Sequence, residues 1–226
     1  MSTLPFWQVF APDVALSSPY TDRYRVRAGN RNLDLPLRTL PNGKQAVSSL
    51  LVNQTSFEVM DVLCEELVNL AHSLKPDLVV GMPTLGLGLA AAVARGCGLP
   101  RYVPLSTSRK FWYKDTLSAP LSSITSPDNT KNLYLDPNLL PLLHAAKKII
   151  IVDDVVSTGQ SLAAGVNILA AAGVSPIGGL CVMTQSDRWK NRFSFPVLSC
   201  FSSPLFEHTT EGWIEQKCPP QTESSD

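Results

Sequence analysis

Asp153 and Asp154 stand side by side at the end of an aliphatic run, Ile149–Val152, and the polar turn Ser157-Thr158-Gly159-Gln160-Ser161 follows at once. Two adjacent carboxylates at the end of a buried strand are costly unless a ligand satisfies them. A short Ser/Thr/Gly loop ahead of a helix offers unpaired backbone N–H groups and the positive end of the helix dipole, which together attract a phosphate. The plain alternative is a generic strand-loop-helix with a solvated Asp pair. A second loop of phosphate type, Met82-Pro83-Thr84-Leu85-Gly86-Leu87-Gly88, follows the strand Asp77–Gly81. Alone it is a weak signal, because glycine there also permits close helix–strand packing.

The elements that must position these residues are legible in outline. An uninterrupted β-branched run bounded by turn residues suits a strand buried on both faces. Leu162, Val166 and Leu169 lie at helical spacing, and Gly173 suits the position after a helix end. Upstream, Ser56–Leu74 reads as an amphipathic helix capped by Ser56, with Phe57, Met60, Leu63, Leu67, Leu70 and Leu74 on its apolar face. A helix over Leu89–Arg95, a strand at Arg101–Leu105, a short strand at Leu133–Leu135, and a helix from Asp136 and Pro137 to Ala145 come next. Pro176–Thr184 is a further strand, Gln185–Phe193 a charged connection, and Pro196–Phe206 one last strand. Tyr20–Leu40 alternates loosely about Gly29-Asn30, as an irregular hairpin would. Residues 216–226 are polar and expected to fray.

Strands and helices alternate from Ser56 to Thr184, which predicts an α/β fold: a mainly parallel sheet with helices on both faces. Ligands of such sheets bind at the carboxyl ends of the strands, where both candidate loops fall.

The stretch Ser106–Lys131 is too long and polar for an ordinary connection, and such stretches are usually functional. It carries the cations Arg109, Lys110 and Lys114 beside Phe111, Trp112 and Tyr113.

Whole-chain properties narrow the classes. The 226 residues suffice for one α/β domain with appendages. Nineteen basic and nineteen acidic residues give zero net charge, which argues against a nucleic-acid or membrane-surface role. Five scattered cysteines without a C-x-x-C pair suit a reduced intracellular chain with no zinc site. Leu78–Ala94, the longest uncharged apolar run, is shorter than the roughly 20 residues a membrane helix needs, and Pro83 breaks it.

The segment IIIVDDVVSTGQS, Ile149–Ser161, resembles the phosphoribosyl diphosphate (PRPP) signature of the type I phosphoribosyltransferases. Every residue class of that signature is matched except Gln160, where the family more often has Gly, Thr or another small residue. The resemblance covers about Leu78–Thr184. It implies a single phosphoribosyltransferase domain over 1–226, with its core at about 56–184 and a hood over the nucleobase from about 20–45 and 185–206. It also implies a cytoplasmic homodimer that transfers the phosphoribosyl group from PRPP to a nucleobase, releasing diphosphate. On this pattern Asp153 and Asp154 hold the ribose hydroxyls and Mg²⁺, directly or through water. Val156, Ser157, Thr158, Gly159, Gln160 and Ser161 hold the 5′-phosphate, and Pro83, Thr84, Leu85 and Gly86 hold the diphosphate, often with a strained or cis peptide. Ser106–Lys131 would be a mobile loop that brings Arg109 or Lys110 to the diphosphate. Trp189, Phe111 or Trp112 would stack on the base. Hypoxanthine and guanine enzymes usually carry Asp where this chain has Ser157, so an adenine-type or other purine enzyme is preferred. The alternative from another class is a PRPP-sensing regulator of the same fold. Such proteins usually add a winged helix or a basic surface, neither of which is visible here.

Overall fold

The computed structural model describes residues 6–121 and 131–216. In chain order the elements are β1 (Arg23–Ala28), β2 (Arg31–Thr39), β3 (Gln45–Ser48), α1 (Phe57–Leu74), β4 (Leu78–Gly81), α2 (Gly86–Gly96) and β5 (Val103–Pro104). They continue with β6 (Ser118–Leu121), β7 (Lys131–Tyr134), α3 (Leu140–Ala145), β8 (Ile149–Val156), α4 (Gln160–Ala171), β9 (Gly178–Gln185), β10 (Val197–Ser203), β11 (Leu205–Thr209) and β12 (Gly212–Glu215).

The central sheet runs β10-β9-β8-β4-β5, and every neighbouring pair in it is parallel. Because side chains alternate along a strand, successive residues of β8 serve two cores. Ile150 and Val152 pack with α1 and α2, through Leu63, Leu67, Leu89 and Val93. Ile149 and Ile151 pack with α4 and α3, through Leu162, Ile168, Leu169 and Leu143. This is the predicted α/β arrangement, with helices on both faces. Full burial of each Ile or Val contributes about 1.5–3 kcal/mol, so the run Ile149–Val152 offsets what the strand loses by burying the Asp153 carboxyl.

Local signals act where expected. Ser56 Oγ accepts from the Val59 N–H and caps α1. Asp136 caps the turn at Pro137–Leu139 by accepting from the Asn138 N–H at 2.9 Å. Gly29 turns the β1–β2 hairpin at φ +60° and Gly173 follows α4 at φ +78°.

A second sheet, β1-β2-β3-β11-β12, is antiparallel and lies over the carboxyl ends of the central strands as a hood. Its bounds correct the expected ones. The segment 196–206 is not one strand. β10 completes the parallel sheet, Pro204 breaks the pairing, and β11 joins the hood. Residues 185–203 therefore belong to the core side, and the C-terminal part of the hood is 205–215.

Three smaller differences have physical reasons. Phe57, expected on the apolar face of α1, is 88 % exposed, because the buried face is centred on Val59, Leu63, Leu67 and Ala71 and the first turn places Val59 inward instead. α2 begins at Gly86 rather than Leu89, which makes the end of the second loop part of the helix. The stretch 106–131 is not structureless: β6 pairs with β7 as an antiparallel ribbon whose Ala119 and Leu133, with Leu117 of the short 3-10 turn before it, enter the α4-side core. Residues 122–130 of that stretch and 217–226 of the tail lie outside the described residues.

Candidate active site

A cleft of about 550 Å³ lies between the carboxyl ends of the parallel strands and the hood. Its floor is Asp153, Asp154, Val156 and the whole turn Ser157–Ser161, with Pro83, Thr84 and Leu85 beside them. Both loops picked out in the sequence thus meet in one cavity. Its roof is the hood, through Arg38, Leu40, Val47, Ser48 and Leu50. Met183 and Gln185, at the end of β9, close one wall.

β8 runs through Asp153 and Asp154 to Val156, so the carboxylates sit within the paired strand rather than beyond it. Asp153 is 6 % exposed, and its Oδ1 accepts from the Asp154 N–H at 2.9 Å. Burial, and secondly the Asp154 charge, push the Asp153 carboxyl well above the usual carboxylate range. Asp154 is also raised, chiefly by burial. Among the described residues no cationic side chain pairs with either. A carboxylate pair held without a counter-charge, in a cleft, is a site prepared for a cation or for hydroxyl donors.

Gly86 does not line the cleft but packs behind it. A Cβ built there would stand 2.9 Å from Asp153 Cα and 2.9 Å from the Val152 carbonyl oxygen. Only glycine lets the amino end of α2 approach the acidic pair this closely. The Pro83–Thr84 peptide bond that precedes it is cis. On the other side of the cleft Gly159, at φ +77°, opens α4 with no side-chain cap, and the helix's first residues, Gln160, Ser161 and Leu162, line the cavity.

The remaining expected residues lie elsewhere. Arg109 and Lys110 are exposed and do not line the cleft, although Thr107 does. Arg109 is paired with Asp115 at 2.9 Å. Trp112 Nε1 donates to Asp136 at 3.2 Å, while Phe111 is 96 % exposed. Trp189 borders a separate cleft of about 320 Å³ with Lys190, Phe193 and Phe195. It packs against the α4-side core, so the structure does not bring it to the acidic pair.

Residues that sequence reasoning passed over also surface here. Gln185 opens what the sequence presents as a charged connection, yet it is buried and its amide joins the loop to the hood. Arg188 Nη2 donates to Ser157 Oγ at 3.1 Å. The cleft-lining strand β3 carried no strand signal strong enough to mark it, being four residues long and half polar.

Groups of three or more metal-ligating side chains are absent among the described residues. Two carboxylates alone fit Mg²⁺ of the kind that takes one or two protein ligands and completes its shell from substrate phosphates and water.

Comparison with known proteins agrees with this geometry. The family model for the phosphoribosyl transferase domain matches residues 46–216. The chain belongs to that family. No curated protein matches it significantly. Among solved structures it is similar to the adenine phosphoribosyltransferase of Trypanosoma brucei in complex with AMP, pyrophosphate and ribose-5-phosphate. That match has a TM-score of 0.54 and 15 % identity, covering 69 % of this chain and 70 % of that one. The enzyme of Saccharomyces cerevisiae gives TM-score 0.55 at 18 % identity, covering 74 % and 93 %. The orotate phosphoribosyltransferase of Aeropyrum pernix gives 0.51 at 18 %, covering 74 % and 85 %. At these identities the likeness is one of fold. No helix among the described residues is long and apolar enough to cross a membrane.

Proposed function

We propose that this chain is a Mg²⁺-dependent phosphoribosyltransferase that moves the phosphoribosyl group of PRPP to a nucleobase and releases diphosphate. The observation that carries it is the Asp153–Asp154 pair facing the same cleft as the uncapped amino end of α4. One feature binds ribose hydroxyls and the other binds a phosphate, at the two ends of one ribose 5-phosphate unit.

In this reading Asp153 and Asp154 accept from the 2′- and 3′-hydroxyls. The backbone N–H groups of 157–161, with the hydroxyls of Thr158 and Ser161, hold the 5′-phosphate. Ser157 contributes backbone only, because its single proton is given to Gln185. Pro83, Thr84 and Leu85 receive the diphosphate beside the positive end of α2. Bound Mg²⁺, held by the Asp pair directly or through water, would neutralise charge on the departing diphosphate. A ring nitrogen of the base attacks C1 of the ribose as the C1–O bond to diphosphate breaks. The chain's contribution is alignment and stabilisation of the leaving group. Arg109 or Lys110 would add to it on closure of the 106–117 segment.

The apolar roof residues Leu40, Val47 and Leu50 suit the faces of a planar base. A purine, adenine first, is preferred, because Ser157 replaces an acidic base-contacting residue and two similar structures are adenine enzymes. A homodimer in the cytoplasm completes the proposal, and sedimentation of the purified chain tests the first part.

The deciding experiment mixes protein, Mg²⁺ and PRPP with each of several bases and follows diphosphate. Base-dependent release with adenine ahead of orotate supports the reading. PRPP binding without release under any base would indicate a PRPP-sensing regulator, and absence of both would overturn the proposal.

A further inference from the structure

Gln185 ends β9 at 6 % exposure, and both halves of its amide are engaged. Ser157 donates its hydroxyl proton to Gln185 Oε1 at 2.6 Å. Gln185 Nε2 donates to the Ser48 carbonyl oxygen, also at 2.6 Å. These partners fix which end is oxygen: a flipped amide would set oxygen against the Ser48 carbonyl oxygen. Ser48 belongs to the hood, on β3, and Ser157 to the phosphate-type turn. One buried side chain therefore spans the cleft wall from the roof to the floor.

The neighbourhood strengthens the link. Ser157 Oγ accepts from Arg188 Nη2 at 3.1 Å, so its proton and a lone pair are both committed. Ser48 Oγ donates to Ser203 Oγ at 2.6 Å, and Ser203 is the last residue of β10 before the chain crosses into the hood. The hood is thereby tied to the ends of β9 and β10 through a single residue of β3. Polar contacts this buried are strong when complete and expensive when broken.

We infer that Gln185 is a positioning residue that couples the hood to the phosphate-binding turn, so that an occupied turn and a correctly seated hood favour each other. This rests on the function proposed above. Gln185 does not itself touch the reacting atoms. It holds Ser157, and with it the backbone of the turn, in the register that α4 offers to a phosphate. Through Ser48 it passes the same constraint to the roof that receives the acceptor.

Calorimetry with Mg²⁺ and PRPP tests the coupling on four proteins: wild type, Gln185→Met, Ser157→Ala and the double variant. Gln185→Met is expected to weaken PRPP about tenfold while the chain stays folded, as one broken buried hydrogen-bond relay would. Ser157→Ala is expected to weaken it less. The double variant should be no weaker than Gln185→Met alone, because both changes break the same link. A merely structural role would give additive losses, or unchanged affinity in a folded variant, and either overturns the inference. A second measurement needs no variant at Gln185. Ribose 5-phosphate, which reaches only the turn and the Asp pair, should slow amide exchange over Gln45–Ser48 of the wild-type protein. Unchanged exchange there in the bound protein overturns the inference too. If the wild type binds neither ligand, the functional reading falls with it. If it binds both and only the coupling is missing, the functional reading stands and this inference alone fails.

Discussion

Gly86 lies so close to Asp153 that the first atom of any side chain would collide with it, at 2.9 Å from Asp153 Cα. The contact is backbone against backbone, which cannot rotate away. Gly86→Ala must therefore move the amino end of α2 or the end of β8, at a cost of about 1–3 kcal/mol. Thermal melting should show that loss, and Mg²⁺–PRPP affinity should fall about tenfold or more. A folded Gly86→Ala variant with wild-type affinity would show that the closeness of helix and carboxylate has no bearing on binding.

Asp153 should display opposite effects on stability and binding. Its carboxyl is raised by burial and by Asp154, so the folded chain holds its proton over a pH range in which the unfolded chain has lost it. Stability from this group is thus present below the ordinary carboxylate pKa of about 4 and is lost as pH rises toward the raised folded value. Asp153→Asn removes that loss. The variant should melt higher than wild type at neutral pH, with the gap closing toward pH 4. It should also lose PRPP binding. Equal melting at every pH would show that the buried carboxylate carries no penalty.

The acid pair and its turn were readable from the sequence because their chemistry is local: Ile149–Ser161 states strand, carboxylates and loop without help from the rest of the chain. The same holds for Ser56 and Asp136, whose caps need only their neighbours. What could not be read depends on distant partners. Residues 196–206 have one continuous strand pattern, and only the presence of β9 on one side and β3 on the other divides them at Pro204. Phe57 fits the helical periodicity, but periodicity does not say where the core ends. Gln185 looks like a solvent-facing polar residue until Ser48, 137 positions away, is folded over it.

Gly159 has two reasons to be glycine: its φ of +77°, and the Arg192 Cδ atom 3.0 Å from where a Cβ would stand, with the Phe193 ring at 3.2 Å. Gly159→Val meets the backbone penalty and the collision together. PRPP binding measured by calorimetry should be abolished, whereas β1 and β12 at the hood's outer edges, away from the Gln185 link, should keep their amide protection. Wild-type affinity in this variant would remove the turn from the phosphate site.

Trp189 packs in the side cleft with Phe193 and Phe195 rather than under the hood. Trp189 is only half-buried, so Trp189→Ala should destabilise the chain by about 1–3 kcal/mol, less than a fully buried indole would cost. Trp189→Phe, which retains most of the packing, should leave the KM for the acceptor base unchanged. A rise in that KM with the KM for PRPP unaltered would put the indole at the base after all.

Arg109 and Asp115 form an ion pair at 2.9 Å, with side chains 55 % and 77 % exposed. A pair this open to water is worth at most about 1 kcal/mol, so it can keep the Arg109 guanidinium turned toward Asp115 without locking it there. If closure brings Arg109 to the diphosphate, the pair must break first, and its strength counts against that contact. Arg109→Ala and Lys110→Ala should lower kcat, because a cation in a water-excluded site grips the developing charge of the leaving group more strongly. Ribose 5-phosphate affinity should hold in both, since that ligand lacks a diphosphate. Asp115→Ala should act in the opposite direction. It releases Arg109, and the KM for PRPP should drop by up to about fivefold, the equilibrium equivalent of the lost pair. Full kcat in both alanine variants, with Asp115→Ala indistinguishable from wild type, would reduce the segment to a surface loop.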